Sequence, residues 1–169
     1  MKKNTKGEGK KVSAKVKKPI VVAVSGGFDP IHIGHVRMFD EAKALGDKLV
    51  VILNNDNWIK KKKGGAFMPD YERKEVIEGL RSVDRVMLSK HPENPEDMSV
   101  CSELRELHPD IFANGGDRTV ADSKNQSSSL SPEAVLCAQL GIKMVFNVGR
   151  GGKVQSSSWL LKNYNEKKN

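Results

Sequence analysis

The feature that most constrains this chain is a regular alternation of two kinds of segment. Short apolar runs rich in β-branched residues occupy 19–25, 48–53, 83–88, 110–113 and 142–148, with segments of helical spacing between them. Runs that are apolar at nearly every position read as strands buried on both faces, the pattern of a parallel sheet. The first intervening segment starts at Gly34, with Val36, Phe39, Ala42 and Leu45 at helical spacing and Gly46 where a C-terminal cap belongs. Residues 54–68 read as a polar loop, 71–80 and 96–107 as helices, and 119–130 as a polar stretch. Ser131-Pro132-Glu133 places a capping hydroxyl, a first-turn proline and an acidic residue at a helix start. Gly141 stops that helix, and a last short helix is expected after Ser156. The alternation predicts an α/β fold: a Rossmann-like, doubly wound parallel sheet of about five strands with helices on both faces. Ligands of such sheets bind beyond the carboxyl ends of the strands, so the site is expected in the loops after strands one, two, four and five.

Charge adds a boundary. The formal net charge is +8, and residues 1–18 hold eight lysines against Glu8 alone, so the rest of the chain is nearly neutral. That distribution removes the general case for a nucleic-acid or membrane surface. The division expected is a lysine-rich tail over 1–18, one domain over 19–164 and a short C-terminal tail over 165–169. The first tail lacks the apolar residues that would offset its ordering entropy and reads as disordered, with attachment to polyanions as its functional alternative. The apolar run at 20–24 is too short for a signal peptide or a membrane span, so a cytoplasmic protein is expected. Cys101 and Cys137 have neither CxxC nor metal-ligand spacing and read as reduced packing thiols, with no metal site built from protein ligands.

The chemistry concentrates in Ser25-Gly26-Gly27-Phe28-Asp29-Pro30-Ile31-His32-Ile33-Gly34-His35, which leads from the first strand straight into a helix. Glycines allow close approach to a phosphate chain, and a helix N-terminus offers it unpaired N–H groups and a positive dipole end. His32 and His35, three residues apart, share a helix face and can both donate to phosphate oxygens, while Gly34 leaves room between them.

With Gly27-Phe28-Asp29 ahead of His32-Ile33-Gly34-His35, the chain resembles the cytidylyltransferase-like nucleotidyltransferases. Tyr71-Glu72-Arg73-Lys74 looks like the Glu-Arg helix of that family and Gly115-Gly116-Asp117 like its Gly-Gly-Asp turn. Ser156-Ser157-Ser158 falls where it has a Ser/Thr cluster, and the resemblance extends over residues 20–162. It implies transfer of CMP or AMP from CTP or ATP to a small phosphorylated acceptor. The acceptor oxygen would attack the α-phosphorus in line, pyrophosphate would leave, and no covalent enzyme intermediate would form. His32 and His35 would hold the phosphates in the transition state, and a lysine of the run 60–63, with Lys63 as the choice, would close over them. Arg73 and Arg150 would be clamps, and Ser156, Ser157 and Ser158 would hold the β and γ phosphates. Gly26, Gly27, Phe28, Asp29, Gly34, Gly115, Gly116 and Asp117 complete the implied nucleotide site, with Asp29 orienting the substrate or the metal. Mg2+ would arrive on the triphosphate. Oligomeric state is open, a homodimer included.

The branch within that family is divided. The turn at Gly115 and the Leu45-Gly46-Asp47 helix exit look like the heptose-phosphate and glycerol-phosphate branch, whereas Gly26 to His32 also resembles branches acting on nicotinate mononucleotide or phosphopantetheine. Arg150-Gly151-Gly152-Lys153-Val154-Gln155 departs from the Arg-Thr-Glu-Gly of the cytidylyl pattern, so CTP and ATP both stay open. A polyol phosphate or sugar phosphate is the first acceptor read, and an FAD-synthase-like role the second. Two other classes compete. His32-Ile33-Gly34-His35 also spells the class I aminoacyl-tRNA synthetase signature, but no KMSKS-like loop accompanies it. An idle nucleotide-binding or scaffold protein is opposed by the presence of both histidines, Arg73 and the serine cluster. Trp58 and Trp159 read as packing residues, and Ser127-Ser128-Ser129 as a loop without chemistry.

Overall fold

The computed structural model describes residues 17–115, 120–125, 128–149 and 155–167. In chain order the elements are β1 (Val21–Gly26), α1 (Ile33–Lys43), β2 (Lys48–Leu53), α2 (Asp56–Lys63), α3 (Asp70–Glu78), β3 (Arg85–Leu88), α4 (Cys101–Leu107), β4 (Ile111–Gly115), α5 (Val120–Lys124), α6 (Ser131–Leu140), β5 (Lys143–Val148) and α7 (Ser157–Glu166).

The five strands form one parallel sheet in the order β3-β2-β1-β4-β5, with Val21 opposite Lys48, Val22 opposite Ile111, Val50 opposite Arg85 and Ile111 opposite Lys143. This is the expected doubly wound fold. Successive strand residues point to opposite faces, and the core divides accordingly. Val22, Val24, Leu49, Val51 and Leu53 pack with Phe39 and Ala42 of α1 and Ile77 of α3. Ala23, Ile52 and Phe112 pack with Leu104 of α4 and with Leu136 and Cys137 of α6. Chain order reverses between β1 and β4, the place where an open α/β sheet leaves a crevice.

Several boundaries move for local reasons. Gly46 does not cap α1; Ala44 does, in right-handed conformation. Gly46 instead lies so close to β1 that an added Cβ would meet Val22 Cγ2 at 2.7 Å and the Ile20 carbonyl at 2.9 Å. The expected loop over 54–68 contains α2, with Asn55 Oδ1 accepting the Trp58 N–H at 3.1 Å, Asp56 in the first turn, four lysines in the last and Gly64 at φ 89° as the stop. Those charges suit the helix dipole at both ends. The helix expected over 96–107 starts only at Cys101, because Asp97 Oδ1 takes the Ser99 N–H at 2.8 Å and holds a local turn that competes with helix. In α6 the cap position is Leu130, without a side-chain bond, and Ser131 is the first helical residue. Gly141, at φ 69°, ends the helix as read. α7 runs past 164 to Glu166, and a short helix, α5, interrupts the polar stretch after β4. Residues 1–16 of the lysine-rich tail lie outside the described residues.

Candidate active site

The chain between β1 and α1 is held from several sides. Phe28, at φ 49°, turns it sharply and is buried, its ring edge-on to His35 and to Phe39 at 5.0 Å between centroids in each case. A non-glycine residue in that conformation persists only where its surroundings impose it. Asp29 is buried, and its two carboxylate oxygens accept the Phe67 and Met68 amides at 2.8 Å each. Its carboxylate is therefore engaged in anchoring the segment after α2, and Asp29 does not line the cavity described below.

Arg73 is the largest fully buried side chain of the described residues. Its Nε donates to Met68 O at 2.9 Å, its Nη1 to Gly27 O at 2.6 Å and Asn54 O at 2.8 Å, and its Nη2 to Asp56 Oδ1 at 2.6 Å. One guanidinium thus fastens the ends of β1 and β2 to the start of α2. It too stands outside the cavity lining, so the phosphate clamp implied by the resemblance is not where the structure places it.

At the start of α1 the two histidines cap each other. His32 Nδ1 accepts the Gly34 N–H at 3.1 Å, His35 Nδ1 accepts the His32 N–H at 3.3 Å, and the rings stack with centroids 3.6 Å apart. With each Nδ1 accepting, each ring keeps its proton on Nε2. A Cβ at position 34 would press to 3.0 Å on the His32 ring, so Gly34 is what lets the cap close. Burial, followed by the charges of His32 and Lys63, drives the His35 imidazolium down to about 3. Burial and then Lys63 lower His32 as well. The pair is therefore two neutral N–H donors.

Both histidines face a cavity of about 440 Å³ at the carboxyl edge of the sheet. Ser25, Gly26 and Phe28 line it from β1 and its loop, Asn54 from the end of β2, Asn114 and Gly115 from β4, and Val148 and Gly149 from β5. Gln155, Ser156, Ser157 and Ser158 close one side. Ser156 Oγ caps α7 by accepting the Trp159 N–H at 3.1 Å, and Ser157 Oγ donates to Pro30 O at 2.9 Å, tying that helix start to the β1 loop. The Ser157 and Ser158 amides belong to the first helical turn, which has no intrahelical acceptor for them. Two helix N-termini thus converge on one cavity, an arrangement suited to a chain of phosphates.

The lysine run is sorted by α2. Lys62 and Lys63 line the cavity, Lys63 Nζ donating to Asp29 O at 3.1 Å and Lys62 Nζ lying 6.0 Å from the Trp58 ring centroid. Lys60 and Lys61 turn to Glu93 at 3.9 Å and Asn94 at 2.7 Å. Desolvation lowers the Lys63 ammonium, an effect opposed by Asp29 and reinforced by Arg73. Gly116, Asp117 and Arg150 lie outside the described residues.

Sequence reasoning missed the flank after β3. Met98 and Val100 line the cavity with Trp58, whose indole Nε1 donates to Met98 O at 2.8 Å, and Glu133 of α6 reaches it while its Oε1 accepts the Val100 N–H at 3.1 Å. No spacing in the sequence connects these positions. Asn54 and Asn114, each one residue from the carboxyl end of a strand, were legible by position alone. Cys101 and Cys137 are buried thiols in one core cluster, and burial pushes Cys137 up to about 11. Among the described residues no group of three or more His, Cys, Asp or Glu side chains is placed to hold a metal ion, and no helix is long and apolar enough to cross a membrane.

The chain is similar to several known proteins. The chain is 39% identical over 103 residues to the FAD synthase of Thermococcus sibiricus and 41% over 100 residues to that of Pyrococcus horikoshii, covering 60% and 59% of this chain. It spans 66% and 64% of the length of those two relatives. It is also 39% identical over 104 residues to the bifunctional protein HldE of Streptomyces coelicolor, covering 60% of this chain and 21% of that one. The lipopolysaccharide core biosynthesis protein of Thermoplasma volcanium superposes with a TM-score of 0.60 at 27% identity, covering 78% of this chain and 98% of the other. Thermotoga maritima TmcAL, solved with alpha-thio ATP, has the same TM-score at 14% identity, covering 88% and 51%, and shares the fold. A cytidylyltransferase-like family model matches residues 23–141, more than half of the chain, and this protein therefore belongs to the cytidylyltransferase-like family.

Proposed function

We propose that this chain is a nucleotidyltransferase that moves AMP from ATP to a phosphorylated small molecule with release of pyrophosphate, and that the acceptor is flavin mononucleotide. The observation that carries the reading is the convergence of the α1 and α7 N-termini, with a neutral histidine pair between them, on one cavity. The likeness to two FAD synthases supports the acceptor, since FAD is FMN joined to AMP. An FAD-synthase-like role was the second reading of the sequence, and the likeness to these relatives puts it ahead of a simple polyol phosphate. A sugar phosphate is the second reading, favoured by the likeness to HldE.

In this mechanism an oxygen of the acceptor phosphate, already ionised near neutral pH, attacks the α-phosphorus. The bond from that phosphorus to the bridging oxygen of the β-phosphate breaks, and pyrophosphate leaves with the electron pair. His32 and His35 donate from Nε2 to oxygens that gain charge in the transition state, which preorganised donors stabilise without reorganisation. Lys62 and Lys63 supply positive charge from α2, while the Ser157 and Ser158 amides hold the departing phosphates. Arg73 and Asp29 act at a distance, by fixing the loops that carry these groups. Mg2+ enters as part of the triphosphate substrate, since it keeps its waters and needs few protein ligands. Cytidylyl transfer stands as an alternative read from the assay below, and nicotinate mononucleotide and phosphopantetheine as acceptors are read by adding them to it; a dimeric assembly is read from the mass in solution.

The test is pyrophosphate release with each nucleoside triphosphate against FMN, glycerol phosphate and sugar phosphates. Release is expected with ATP and FMN. Release with CTP and glycerol phosphate but not with ATP and FMN overturns the acceptor and donor together, and no release with any pair overturns the activity.

A further inference from the structure

Asn54, on the cavity wall, carries a buried polar atom that phosphates cannot satisfy. Asn54 lies just beyond β2, where its N–H donates to Gly26 O at 2.9 Å and its carbonyl accepts Arg73 Nη1 at 2.8 Å. The backbone is thereby fixed on both sides. Asn54 is only 4% exposed, lines the cavity, and its Oδ1 is buried with no hydrogen-bond partner among the described residues. Asn114, inside β4 one residue before its end, donates from Nδ2 to Phe112 O at 3.3 Å. A buried amide oxygen without a donor carries its full desolvation penalty, and such groups in native folds mark places where a partner is missing. Phosphate oxygens accept, as Oδ1 does, so the missing partner is a group bearing a proton.

The layout of the cavity says which substrate brings it. In-line displacement puts the entering oxygen opposite the leaving pyrophosphate. If pyrophosphate departs on the α7 N-terminus, which Ser157 ties to Pro30, the acceptor approaches from the part of the cavity wall that α7 does not form, and the end of β2 and the segment after β3 place Asn54 and Met98 there, with Trp58 and Lys62. On that flank the Trp58 indole N–H is already given to Met98 O. We propose that Asn54 Oδ1 accepts a hydrogen bond from a hydroxyl of the acceptor's polyol chain, and so selects hydroxylated acceptors. This rests on the transfer reading above for the direction of approach.

The experiment is equilibrium binding, measured by flavin fluorescence, of two ligands in the presence of Mg2+ and a non-hydrolysable ATP analogue. One is FMN; the other is a flavin phosphate whose ribityl chain is replaced by an unhydroxylated pentyl chain. Wild type is expected to prefer FMN by about tenfold to a hundredfold, the range for one buried hydrogen bond to a substrate hydroxyl. Asn54→Leu, which removes the acceptor, is expected to bind the two alike, whereas Asn54→Asp keeps an oxygen there and keeps the preference, whatever its charge costs both ligands equally. A full preference in Asn54→Leu overturns the proposal. So does binding of neither flavin phosphate by wild type, or a variant whose only change is the Mg2+ concentration it requires, which would assign Oδ1 to a metal-bound water. Because binding is read without turnover, a preserved FMN preference in a protein that releases no pyrophosphate would remove the transfer reading and leave Asn54 in its role.

Discussion

His32 and His35 stack with ring centroids 3.6 Å apart, and each gives its Nδ1 to a backbone N–H at the start of α1. The same two rings therefore serve the helix with one nitrogen and the cavity with the other. This separates two roles that a substitution to alanine would confound.

Asparagine is a strong N-cap, so His32→Asn should retain the α1 cap while losing the Nε2 donor. The expected outcome is a melting temperature close to wild type and a turnover lower by roughly two to three orders of magnitude. His35→Ala should lose comparable turnover and, in addition, some stability. Wild-type-like pyrophosphate release in either variant would remove the histidine pair from the mechanism.

The His35 imidazolium is held down to about 3, chiefly by burial, against an ordinary value of 6.5. As pH falls below 6.5 the unfolded chain takes up this proton and the folded chain does not, so stability is present above 6.5 and is lost progressively towards 3. Thermal melts of wild type should therefore fall with acid more steeply over that window than melts of His35→Gln. Imidazole nitrogen NMR should show His35 neutral, with its proton on Nε2, from pH 8 down to pH 5. An imidazolium signal at pH 5 contradicts the burial argument.

Arg73 donates to three backbone carbonyls and to Asp56 from a fully buried position. Arg73→Met should destabilise the fold by about 3 kcal/mol or more, through the carbonyls left unpaired. The ion pair itself counts for less, because Asp56 is partly exposed. Chemical denaturation measures this directly. A variant of unchanged stability with a raised KM for ATP would instead return Arg73 to a phosphate-clamping role.

The four lysines of α2 should behave as two pairs. Lys63→Ala and Lys62→Ala should each lower kcat/KM by about tenfold or more, since each removes a cation from the cavity. Lys60→Ala and Lys61→Ala, whose ammonium groups meet Glu93 and Asn94, should stay within about twofold of wild type. Equal losses at all four would mean that only the summed charge of the run matters.

The strands were legible because burial on both faces leaves a continuous apolar run, and β2 was read to the residue at Lys48–Leu53. α2 was not, although Asn55, Asp56, the last-turn lysines and Gly64 are all helix signals, because Ile59 is its one buried residue and a single apolar position has no period. The late start of α4 was hidden for a different reason: the Asp97 side chain competes for the backbone there, and spacing does not register such competition.

By itself the sequence determined the alternation that makes the sheet, the loop from Gly26 to His35 that opens α1, and the serine cluster that opens α7. Each depends on residues adjacent in the chain. Only the tertiary structure decided what these pieces become together. It put Arg73 and Asp29 beneath the site instead of in it, turned Lys62 and Lys63 inward and Lys60 and Lys61 outward, and brought Met98 and Glu133 to the same cavity as Asn54. The reason is geometric: a parallel sheet gathers the ends of strands that are distant in sequence, and which atoms they then leave buried and unpaired is set by packing across the whole fold.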